Sequence, residues 1–119
     1  MEPTESNLQE FLIQNNLINS EEDLMNLATA LIEKAYKKHL KDKTLSALAY
    51  LKQTEEILEI LSSQGRPTKI EVIQVTLNNI AGCYQRLGDM EKCAGYLEAC
   101  LSNCYRNPVH TSIDSIALD

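Results

Sequence analysis

The residues of this chain that first invite chemistry are its four cysteines, Cys83, Cys93, Cys100 and Cys104. A structural zinc site draws on two closely spaced pairs, usually presented by turns. Cys100-x-x-x-Cys104 is one such pair, but it falls inside a helical pattern and no second pair accompanies it. His39 and His110 have no His-x-x-x-His partner. The cysteines therefore read as small apolar thiols, with Cys104 the one candidate for redox switching, and no metal or cofactor is expected. Catalytic patterns are also missing. There is no phosphate-cradling glycine loop and no His-Glu-x-x-His. Ser112, His110 and Asp114 are the residue types of a nucleophilic triad, but they lie in a C-terminal run with nothing to hold them in register. Glu55-Glu56 and Glu21-Glu22-Asp23 are adjacent in sequence, so on a helix they point to different sides and read as solvated faces. The expectation is a protein that is not an enzyme.

Bulk properties narrow the classes further. With 119 residues the chain is long enough for one domain with a sizeable core. A net charge of −6 argues against direct nucleic-acid binding, which needs clustered cations. The run Lys34, Lys37, Lys38, Lys41 and Lys43 is flanked by acidic residues and reads as a solvated helix face. No apolar stretch approaches the ~20 residues of a membrane span, so no membrane role is expected. The start, Met1-Glu2-Pro3-Thr4-Glu5, lacks the basic and apolar runs of a signal peptide, and no Asn-x-Ser/Thr sequon occurs. These features predict a cytoplasmic, reducing compartment in which the cysteines stay thiols.

The elements that must position any site are helical. Apolar spacing predicts helices over about 6–16, 20–40, 44–63, 68–87 and 90–105. Ser6-x-x-Gln9, Ser20-x-x-Asp23 and Thr68-x-x-Glu71 have the spacing of capping boxes, and Asp42 or Thr44 is placed to cap the third helix. Expected buried stripes are Leu24, Leu27, Ala28, Leu31, Ala35 and Leu40 on the second helix. On the third they are Leu45, Leu48, Leu51, Ile57, Leu58 and Leu61, with small Ala47 and Ala49 between. The β-branched run Ile70–Thr76 has strand propensity, but the 3–4 spacing that starts at Ile70 continues in phase downstream and predicts a helix. Its inner face is Ile70, Ile73, Leu77, Ile80, Ala81 and Tyr84. Gly88 sits where that helix must stop, and Asp89 can accept from the first free amides of the next. Cys93, Leu97 and Cys100 then share one face. Small side chains at Ala81, Cys93 and Cys100 let the two helices nest closely. Residues 1–5 are expected to be disordered. Residues 106–119 are expected to be flexible, or to dock through Ile113, Ile116 and Leu118.

This arrangement resembles the tetratricopeptide repeat, whose pattern is a large apolar residue, Leu-Gly/Ala, Tyr, Gly-Asp, Ala, an aromatic or Leu, and Ala. Leu77, Ile80, Ala81, Tyr84, Gly88, Asp89, Cys93, Leu97 and Cys100 fill those places, with cysteine standing for alanine at 93 and 100 and the closing proline arriving late, as Pro108. Ala47, Leu51 and Thr54 repeat the spacing of Cys93, Leu97 and Cys100, 46 residues earlier. That period is longer than the usual ~34. A long period, together with Leu77-Asn78-Asn79-Ile80-Ala81, is similar to the repeats of kinesin light chains. The resemblance implies an all-α fold of about five helices, with antiparallel hairpins stacked as a right-handed superhelix. It also implies a non-catalytic adaptor or scaffold that takes a peptide or helix of a partner protein in a concave groove. In such repeats the first helix lines the groove, and amide side chains there both donate to and accept from a peptide backbone. Asn78 and Asn79, with Gln85 and Arg86 further along, match those positions. Arg86 alone does not make the paired basic clamp that binds acidic C-termini.

Acidic balance favours a partner with basic segments. About two repeats is short of the ~3 that bury a continuous core, so a homodimer, or a place in a larger complex or longer chain, is expected. The competing reading is a small helical accessory or regulatory subunit of an enzyme or assembly.

Overall fold

A computed structural model describes residues 5–66 and 68–106, with side chains over 7–66 and 68–103. Of residues 1–5, expected to be disordered, Glu5 begins the first helix, and of the 106–119 tail Arg106 ends the last one; residues 1–4 and 107–119 lie outside the described residues. Among those described, the fold is all-helical: α1 (Glu5–Gln14), α2 (Glu21–Leu40), α3 (Thr44–Ser63), α4 (Ile70–Arg86) and α5 (Met90–Arg106). No described helix is long and apolar enough to cross a membrane. The chain divides into two compact units, Met1–Pro67 and Thr68–Asp119.

Four helices end in the same way, for a local reason. After α4, Gly88 takes φ +83°, and the amides of Gly88 and Asp89 return to the carbonyls of Gln85 and Tyr84 at 3.1 and 2.9 Å. This pair of bonds is the Schellman closure, which satisfies carbonyls that the helix itself leaves orphaned. The same pair closes α1 at Asn16, α2 at Asp42 and α3 at Gly65, whose φ values are +58°, +59° and +71°. Asp42 and Gly88 thus hold equivalent places in the α2–α3 and α4–α5 turns, 46 residues apart. Because the left-handed region strains a residue with a Cβ, Gly88→Ala is expected to destabilise by about 1–2 kcal/mol. Asp42→Gly should shift thermal unfolding upward, by at most about 1 kcal/mol. Melting curves followed by circular dichroism check both signs.

Helix starts follow the sequence in part. The Ser20 hydroxyl accepts from the Asp23 amide at 3.2 Å, and Asp89 Oδ1 accepts from the Lys92 amide at 3.1 Å, as expected. Three starts differ. α1 begins at Glu5, which already places Ser6 inside the first turn. α3 is preceded by Lys43 with no side-chain cap, because Asp42 is committed to closing α2. α4 begins at Ile70 after an extended Lys69, so Thr68 lies too far upstream to cap it.

In the first unit, α2 and α3 form an antiparallel hairpin and α1 lies against α3. Leu12, Leu24, Ile57 and Leu61 are fully buried, and Ala28, Ala35 and Ala47 are buried beside them. The loop between α1 and α2 is tied to the end of α3: Gln64 Nε2 donates to the Ile18 carbonyl at 2.7 Å and Arg66 Nη2 to the Asn19 carbonyl at 2.8 Å. Two expected core residues are outside it. Leu40 is 64% exposed, because it sits in the last turn of α2 on the side away from Leu31 and Ala35, and Leu45 is 70% exposed in the first turn of α3.

In the second unit, α4 and α5 pair through Ala81, Cys93 and Cys100, all buried. The Cys100 thiol donates weakly to the Gln74 carbonyl across the seam at 3.8 Å. Of the expected inner face of α4, Ile70, Ile80 and Ala81 are buried, while Ile73, Leu77 and Tyr84 are half-buried. Leu97 departs from expectation. It is 41% exposed, because its place on the wheel is turned past Cys93 and away from α4. In both units polar residues take part of the buried arc, Thr54 on α3 and Thr76 on α4. Thr54 and Thr76 are fully buried, and each satisfies its hydroxyl on the carbonyl four residues back, Tyr50 at 3.1 Å and Val72 at 2.8 Å.

Candidate partner-binding face of α4

Each residue turns an α-helix by about 100°, so the four candidate contact residues fall into two neighbouring rows on α4. Asn78 and Gln85 share one row, which Glu71 extends. Asn79 and Arg86 share the next, with Val75 and Gly82 among them. Asn79, Gln85, Arg86, Glu71 and Val75 are exposed, and Asn78 and Gly82 are half-buried. The fold therefore gathers all four candidates on one continuous solvent face. Val75, 40% exposed, and Gly82 belong to this face and were not singled out from sequence. Their signal is the outward spacing Val75, Asn79, Gly82, Arg86, which continues the helical period on the side opposite Ile80.

A Cβ added to Gly82 would meet nothing within 4 Å. Asn79 Nδ2 donates to the Val75 carbonyl of its own helix at 2.7 Å. That bond uses one of the two Nδ2 hydrogens, so the second hydrogen and the side-chain oxygen remain able to donate and accept.

At the end of the hairpin the aromatic residues lock the turn. Tyr84 and Tyr96 stack with centroids 5.7 Å apart, and Lys92 Nζ lies 5.4 Å above the Tyr84 ring. Asp89 holds both the Lys92 amide and, at 3.8 Å, its ammonium group.

Of the thiols, Cys83, Cys93 and Cys100 are buried and none is in a disulfide. The Cys104 side chain is outside the described residues. Among those described, no group of three or more His, Cys, Asp or Glu is placed to hold a metal ion. Burial pushes the Cys83 thiol above its ordinary range, and the Arg86 guanidinium opposes this only in part. Burial favours the neutral thiol, so the stability it confers is present below the ordinary thiol range and is lost as pH rises above it. Cys83 is expected to alkylate more slowly at pH 8 than an unburied cysteine, and slower still in Arg86→Gln, which removes the charge that favours thiolate. Site-resolved iodoacetamide labelling with peptide mass spectrometry checks both.

Comparison with family models, with curated proteins and with solved structures returns no match.

Proposed function

We propose that the chain is a non-catalytic interaction module of tetratricopeptide-repeat type, in which the α4 face receives a peptide or helix of a partner protein. The observation that carries this reading is one solvent face on which exposed Asn79, Gln85 and Arg86 adjoin half-buried Asn78, on the first helix of a hairpin closed by Gly88. The matching turns at Asp42 and Gly88 support it, since two equivalent hairpins are what a repeat array contains. An amide-rich face with one guanidinium recognises a backbone through hydrogen bonds and leaves side-chain selectivity to its edges. A reducing cytoplasmic setting suits the three buried thiols, none of them in a disulfide, and belongs to the same proposal.

Affinity capture with quantitative mass spectrometry tests this. The wild-type chain and the Asn79→Ala/Arg86→Glu double variant are used side by side. Both positions are exposed, so the variant should fold normally. A bound protein is expected to be depleted at least about tenfold on the variant. Equal capture of every partner by both forms would remove the α4 face from consideration.

A further inference from the structure

We infer that the open side of the α4–α5 hairpin is a second docking surface, fitted to an amphipathic helix of another protein with Lys or Arg along its flanks. Met90, Leu97 and Leu101 are 57%, 41% and 41% exposed, and with Ala94 they recur at i, i+4, i+7 and i+11 along one row of α5. A helix row of this spacing is what the apolar stripe of a second helix seats against. The row has a definite side. Cys93 and Cys100 form the seam with α4, and Tyr84 and Tyr96 stack on one side of that seam. Met90, Leu97 and Leu101 lie across the seam from that stack. The same rotation brings Asn78 and Gln85 of α4 to their side.

The border of this row is acidic. Glu91 and Glu98, seven residues apart and both exposed, run along its outer edge, and exposed Glu71 lies on the α4 edge. Lys92, the nearest described cation of α5, is on the opposite side over the Tyr84 ring. An apolar row rimmed by carboxylates selects against occupants that carry the same charge. A second copy of this chain would bring the identical acidic rim. The chain's own residues 107–119 carry Asp114 and Asp119 and neither Lys nor Arg. A partner helix with basic flanks satisfies both the apolar row and its rim. The surface borders the Asn78–Gln85 row of α4 and leaves out the Asn79–Arg86 row.

The test uses fluorescence anisotropy with a labelled synthetic peptide of about 18 residues, long enough to form a helix on binding. It carries Leu at i, i+4, i+7 and i+11 and Lys at the flanking positions. A control peptide carries Glu in place of Lys. The full chain is expected to bind the Lys-flanked peptide, more weakly as salt rises, and not the Glu-flanked one. Leu97→Asp and the Glu91→Lys/Glu98→Lys double variant should each weaken binding at least about tenfold, with Asn79→Ala unchanged. The charge reversal touches only exposed side chains, so it remains informative even if Leu97→Asp perturbs the fold. Equal binding of both peptides, or wild-type affinity in the charge-reversed variant, overturns the proposal. So does a dimer in light scattering that Leu97→Asp converts to a monomer, which would make a second copy the occupant. Tighter probe binding in full-length Ile113→Asp/Ile116→Asp would assign the surface to the chain's own C-terminal residues, and likewise overturns it.

Discussion

Leu24→Ala is expected to destabilise the first unit by about 2–5 kcal/mol, while Leu40→Ala on the same helix costs less than about 0.5 kcal/mol. Apolar periodicity alone assigns both leucines to one buried stripe of α2. In the fold Leu24 is fully buried and Leu40 is 64% exposed. Removing the Leu24 side chain takes away its burial and leaves a cavity between α2 and α3, which close-packed neighbours fill only partly. Removing Leu40 changes solvent-facing surface. For a unit of this size the first change should lower the melting temperature by roughly 10 °C or more. Paired thermal melts read the contrast directly. Similar small shifts for both would mean that the α2–α3 seam is not where the stability of this unit resides.

Ala81→Phe is the second large effect, expected to cost about 1–3 kcal/mol or more through overpacking. Ala81 is 1% exposed on the α4 side of the hairpin seam, facing the α5 helix whose own contact residues, Cys93 and Cys100, are small. A phenyl ring there has to move one helix from the other or take a strained rotamer. Cys93→Ala keeps the seam slim and should cost under about 1.5 kcal/mol, since it removes only a sulfur. If Ala81→Phe melts with the wild type, small residues are not what lets α4 and α5 approach.

Much of the helical architecture was legible before any coordinates. The limits of α3 match residue for residue, and those of the other helices fall within about two residues of the expected ends. Gly88 and Asp89 were readable as a stop followed by a start, because helix closure is decided by the conformational freedom of one residue and capping by the reach of one side chain. The four contact candidates were readable as a group for a similar reason: at spacings of one, six and seven they share one side of a helix whatever the helix packs against.

Other features were not readable. Asn79 turning its amide onto the Val75 carbonyl depends on a rotamer, which residue type leaves open. The burial of Gln74, Thr76 and Cys83, and the exposure of Leu45, Leu97 and Leu101, depend on how wide an arc of each helix its neighbours cover. A hydroxyl that finds its own carbonyl four residues back enters a core as readily as an apolar residue, and hydropathy does not register that bond.

The amino-acid sequence by itself determined five helices, their turns and the side of α4 that carries Asn78, Asn79, Gln85 and Arg86, because these follow from interactions within a few residues of chain. Only the tertiary structure decided which leucines are core and which form an open row on α5, because burial is set by the approach of a second helix and periodicity records only a direction around the first.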